Sequence, residues 1–120
     1  MENAKRLANS VFNVSQEVRY VAIYNGTKLY TQSREDLKDS SSSESDKYEE
    51  IIVNPTLLKL VTQRGDIDCG GLKYVLLRYG NFYQFIYPLK NGHISVALEL
   101  SSSPNEIAIR LADMLSTVEV

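Results

Sequence analysis

The chain has 120 residues, 43% of them hydrophobic and 23% charged, and a formal charge of −2. That length holds one domain spanning 1–120, and the balance of apolar to charged residues excludes wholesale disorder. The near-neutral charge excludes a protein held on nucleic acid by many phosphate contacts, and no apolar run is long enough for insertion across a membrane. Cys69 is the only cysteine, and the polar residues 1–10 do not resemble a signal peptide, so a cytoplasmic protein is expected.

Ala4, Leu7, Ala8, Val11 and Phe12 recur at helical spacing and predict a short amphipathic helix from Glu2 to about Ser15. Val18–Tyr24 is rich in β-branched and aromatic residues. Asn25-Gly26 follows it directly, predicting a two-residue type I′ turn into a second strand over Thr27–Ser33. Between Arg34 and Glu50 there are seven acidic and three basic residues, with four serines at Ser40–Ser43. Residues 34–47 therefore read as a flexible connecting loop, or as a tether whose serines accept phosphate.

A middle helix is expected over Tyr48–Arg64, with Pro55 either at its first position or kinking it. Leu57, Leu58, Leu60 and Val61 spread over an arc too broad for one sheet contact, which points to a second surface such as another subunit. Gly65 is expected to end the helix. Three strands follow, over Leu72–Tyr79, Phe82–Tyr87 and His93–Leu100, with turns at Tyr79–Asn81 and Asn91-Gly92. The last strand places Ile94, Val96, Leu98 and Leu100 on one face and His93, Ser95, Ala97 and Glu99 on the other. Ser103-Pro104-Asn105-Glu106 reads as a capping box for a final helix whose buried stripe is Ile107, Leu111, Met114, Leu115 and Val118. The fold class expected is α+β: a three-layer α/β/α stack in which a five-stranded antiparallel sheet has the middle helix on one face and the terminal helices on the other.

In this order of elements, and in the stretches Val18–Thr27, Gly70–Tyr74 and His93–Leu115, the chain resembles the roadblock/LC7 family of profilin-like folds, and more closely small archaeal proteins of the same layout. The resemblance implies a non-catalytic platform that forms a homodimer and works with a small GTPase or a larger protein assembly. The dimer it implies pairs the middle helix and the neighbouring strand, placing Leu57, Leu60, Val61, Arg64, Tyr74 and Leu76 at the interface.

Signals for chemistry are sparse. His93, the single histidine, is expected to be solvated or locally bonded beside a turn. Asp66, Asp68 and Cys69 could begin a metal site, but a turn in which the aspartates bond local amides explains them as well. Gly70-Gly71 leads into a strand, so it lacks the helix start that phosphate-cradling loops use. No enzyme, metal or cofactor is expected. The alternative to a protein-binding module is a small-molecule sensor holding its ligand between sheet and helices.

Overall fold

Period-two alternation makes the strands and recurrence every three or four positions makes the helices. The computed structural model describes residues 2–37 and 43–118. In chain order its elements are α1 (Glu2–Phe12), β1 (Val18–Tyr24), β2 (Leu29–Ser33), a 3₁₀ turn (Glu35–Leu37), α2 (Ser43–Tyr48), a π turn (Glu49–Val53), α3 (Asn54–Asp68), β3 (Val75–Arg78), β4 (Tyr83–Leu89), β5 (Gly92–Leu98) and α4 (Pro104–Leu115). The strands form one five-stranded sheet in the order β2-β1-β5-β4-β3, antiparallel at every pairing. Pairing of β1 with β5 joins the first hairpin to the later meander, leaving β2 and β3 as edges.

The three layers are those expected. Val21, Ile23, Phe85, Ile94, Val96 and Leu98 point from the sheet into a core closed by Ala8 and Val11 of α1 and by Ile107, Ala108, Leu111 and Leu115 of α4. Each large side chain buried there contributes about 1.5–3 kcal/mol, so this layer dominates stability. The opposite face of the sheet carries Ala22, Gln84, Ile86, His93, Ser95 and Ala97, all buried, beneath the tract from α2 to α3.

Differences from expectation concentrate at chain reversals. The first hairpin closes through Asn25–Lys28: Tyr24 pairs with Leu29, and Gly26 alone takes positive φ, where a type I′ turn needs two such residues. Asn25 explains the longer loop, because its Oδ1 accepts the backbone amides of Thr27 at 3.0 Å and Lys28 at 2.8 Å. Lys90 and Asn91 form the β4–β5 turn, while Gly92 is the first residue of β5 and pairs with Leu89. A Cβ on Gly92 would sit 1.7 Å from the Tyr24 carbonyl oxygen, so strand approach rather than turn geometry requires glycine here. The predicted capping box does not form: the Ser103 side chain makes no capping bond, and only its carbonyl accepts, from the Ile107 amide at 3.1 Å.

The expected loop at 34–47 is corrected at both ends. Arg34 is fixed by Asp36, by Glu99 and by the Gln16 carbonyl, which holds the 3₁₀ turn against the sheet. Ser43 already begins α2, and Ser40–Ser42 lie outside the described residues. Composition misled here because the segment has no apolar stripe: Glu44, Ser45, Lys47 and Tyr48 are exposed, and α2 runs on directly into the π turn that carries the buried Glu50.

Pro55 stands in the first turn of α3, the first of the two expected placements, but α3 is itself the continuation of an earlier helical stretch. Helical backbone runs from Ser43 to Asp68, and the π turn immediately precedes the proline, with the Asn54 amide donating to the Glu49 carbonyl. Proline has no amide to donate, and the wider i→i+5 turn accommodates it. The helix also outlasts Gly65, which is buried inside it where a Cβ would lie 3.1 Å from the Leu72 nitrogen. Termination falls to Gly70 and Gly71, both at positive φ, with the Gly71 amide returning to the Gly65 carbonyl at 3.0 Å.

Candidate functional site

Residues four apart advance by roughly 40° on an α-helix, so a straight helix would carry positions 46, 50, 54 and 58 about a third of the way round. The π turn takes up that drift. Glu50, Asn54, Leu58 and Gly65 therefore all face the sheet and are buried.

Glu50 is the unexpected member, a carboxylate only 1% exposed. Its Oε1 lies 2.8 Å from His93 Nε2 and accepts the Asn54 amide at 2.9 Å; its Oε2 accepts the Ser95 hydroxyl at 2.9 Å. Ser95 in turn accepts from Gln84 Nε2 at 2.5 Å. One carboxylate thus collects donors from α3 and β5, and β4 supports them. Burying a carboxylate is tolerated only with such compensation.

His93 is consequently not the solvated side chain expected beside a turn. It is buried, and its partner is 43 positions away in sequence. The trio of Ser95, His93 and Glu50 is not a nucleophilic relay either. Serine and histidine both bond to the carboxylate rather than to each other, and none of the three is open to a substrate.

Next to this network, a cleft of about 560 Å³ opens between the sheet and the α2–π segment, lined among others by Tyr20, Asp46, Glu49, Tyr79, Phe82 and Gln84. Burial, then the Glu50 charge, raises the Asp46 pKa above the usual carboxylate range. Burial also raises Glu49, against a hydrogen bond from Tyr79 that lowers it. Desolvation followed by the Glu50 charge pushes the Tyr20 phenol upward, and its buried hydroxyl has no hydrogen-bond partner among the described residues. The cleft's lining thus combines the carboxyl groups of Asp46, Glu49 and Glu50 and one guanidinium, Arg19, with the rings of Tyr20, Tyr79 and Phe82.

A second surface lies on the outer side of the same tract. Tyr48, Ile51, Ile52, Leu60 and Ile67 are exposed, Leu60 at 60% and Ile67 at 76%. Of the positions expected at an interface, Leu57 and Val61 are half-buried, Leu60 is open, and Arg64 is exposed but bound to Asp68 at 2.5 Å. Tyr74 and Leu76 are on the other face: they pack toward the α1–α4 core, with the Tyr74 and Phe85 rings 5.3 Å apart. Strand alternation turns Val75 and Leu77 toward the α3 side. Tyr74 also precedes β3 rather than lying in it. Ile51, Ile52 and Ile67 were absent from the sequence-based set, although their apolar character on a charged helix was the available signal.

The Asp66–Cys69 string closes α3. Asp68 pairs with Arg64 and accepts from the exposed Cys69 thiol at 3.4 Å, and the Arg64 bond holds the Asp68 pKa down. Among the described residues no group of three or more His, Cys, Asp or Glu side chains is placed to hold a metal ion, and no helix is long and apolar enough to cross a membrane.

No family model and no curated protein matches this chain. A solved structure described as MglB with a tetrameric arrangement does match, with a TM-score of 0.69 over 96% of this chain and 86% of that one, at 8% sequence identity. At that identity the likeness establishes the fold: a five-stranded antiparallel sheet between helical layers, roadblock-like as expected.

Proposed function

We propose that this chain is a non-catalytic protein–protein interaction module acting as a homodimer, with the outer face of α3 and the free edge of β3 forming the seam. The observation that carries the reading is the row of exposed apolar side chains on the helical tract, Leu60 and Ile67 foremost. The last turn of α3 approaches the segment leading into β3 at Gly65 and Leu72, which brings the end of the helix close to the start of the edge strand. An unpaired edge with no proline or lysine in it, Val75–Arg78, is open to pairing with another strand. A second copy supplies both the apolar face and the strand. Leu57, Leu60, Val61 and Arg64 then meet their counterparts, while Tyr74 and Leu76 support β3 from behind.

In this reading the dimer is a scaffold or regulatory adaptor in the cytoplasm. A small GTPase is the partner class implied by the roadblock resemblance, and it agrees with the fold shared with MglB. Light scattering at low micromolar concentration tests the dimer: twice the chain mass is expected, and a strict monomer contradicts it. Affinity purification from the native host, with small GTPases specifically sought, tests the partner class.

The cleft beside Glu50 supports a second reading, a sensor for a small organic cation, because it lies between sheet and helix and its ionisable lining is mainly acidic. A thermal-shift screen with polyamines, arginine and nucleotides separates the two. A shift with the cations alone favours the sensor; no shift across the panel removes it.

A further inference from the structure

We infer that the Glu50 network is a rotational lock, in which Glu50 is a positioning residue that sets which side of the middle helix faces outward. The dimer consequence rests on the self-association just proposed; the lock itself does not.

A helix resting on an apolar sheet face is held by non-directional contacts, and neighbouring rotations of it differ little in buried area. Hydrogen bonds to a carboxylate are directional and strong. Apart from Ile86, the sheet's buried side chains on this face are small or polar, Ala22, Ala97, Ser95, Gln84 and His93, which resist rotation poorly by shape alone. Glu50 supplies the missing directionality. His93 and Ser95, two positions apart on β5, each donate to a different oxygen of the carboxylate, so they fix its plane as well as its position. Asn54 adds a donor from the next helical turn.

The π turn belongs to the same device. It keeps Glu50 and Asn54 in line with Leu58, and so fixes the outward bearing of Leu60 and Ile67 relative to the sheet. Rotating the helix by one residue position would orphan a buried carboxylate and several donors. That penalty is far larger than any apolar contact such a rotation gives up.

The test replaces the whole polar set by apolar residues: Glu50→Met, Asn54→Leu, Gln84→Leu, His93→Leu and Ser95→Ala. A nitroxide on the single exposed thiol, Cys69 at the end of α3, reports helix position through paramagnetic broadening of the sheet amides. The native protein and Glu50→Gln should give one matching broadening pattern, since glutamine keeps the shape and one acceptor. The apolar variant should give a weakened or doubled pattern, with its dimer dissociation constant raised at least tenfold. An unchanged pattern in the apolar variant overturns the lock. A monomeric native protein overturns the proposed seam instead, leaving the broadening result to decide the lock.

If the apolar variant does not fold, Ser95→Ala is measured by amide exchange. Exchange over Ile51–Leu58 should rise at least tenfold while α4 is unchanged, and an equal rise in both, or none, overturns the lock.

Discussion

Glu50 Oε1 and His93 Nε2 meet at 2.8 Å, with each side chain only 1% exposed. The contact joins the middle helix to the central strand across a face whose buried side chains, Ile86 and Leu58 apart, are small or polar. The sheet is therefore held differently on its two sides: by hydrocarbon packing against α1 and α4, and by directed polar bonds against the α2–α3 tract.

Removing the carboxylate should be severe. Glu50→Ala strands the His93, Ser95 and Asn54 donors in a buried layer, and breaking such a set from one side costs about 3–5 kcal/mol. Urea denaturation followed by circular dichroism measures it. A loss below about 1 kcal/mol, within the range of an ordinary surface change, would contradict the network's part in the fold.

Two glycines give a matched comparison. Gly92→Ala drives a methyl into the Tyr24 carbonyl, 1.7 Å from the ideal Cβ position, whereas at Gly80 nothing lies within 4 Å. The first change should cost about 3 kcal/mol or more, because backbone must move. The second should stay within about 0.5 kcal/mol. Equal thermal midpoints for the two variants would refute the close approach of β1 and β5.

Acid should act in two opposing directions. The Arg34 guanidinium, then Arg19, holds the Glu99 carboxyl below its ordinary pKa. A lowered folded pKa means that its stabilisation is complete above the ordinary carboxylate range and is lost as pH falls through the folded value. The pairs are partly solvated, so the effect is about 1 kcal/mol. Asp46 and Glu49 are shifted upward, so they destabilise at neutral pH and that penalty fades as pH falls through their raised values. Accordingly Glu99→Gln should lower stability near pH 7 and not below the acid range, while Asp46→Asn should raise it near pH 7. Denaturation midpoints across a pH series check both signs.

Much of the architecture was legible in the residues. Val18–Tyr24 and His93–Leu98 announce strands through β-branched and aromatic spacing, and Ala4, Leu7, Ala8 and Val11 announce α1. Helix α2 was not legible, because Ser43–Tyr48 has loop composition and continues into a π turn whose sheet contacts lie further along the chain. Glu50 was hidden for the same reason: a glutamate in an acidic run reads as solvated, and its partners His93 and Ser95 are more than forty positions away. The spacing of Glu50 and Asn54, four apart on one helix face, was the only local hint. Of the interface positions, Leu60 was readable from its place on the helix. The face taken by Tyr74 and Leu76 depends on where β3 begins, and Gly70-Gly71 delay that start to Val75.

The central claim is that the outer face of α3 is a contact surface rather than part of the monomer's core. Leu60 is the position that separates these, being 60% exposed in the single chain. Light scattering combined with denaturation, on the native chain and on Leu60→Glu at low micromolar concentration, is the most direct measurement. The expected result is a native dimer and a Leu60→Glu monomer whose circular dichroism spectrum is unchanged. A native chain that is monomeric, or a Leu60→Glu chain that remains dimeric, would contradict it.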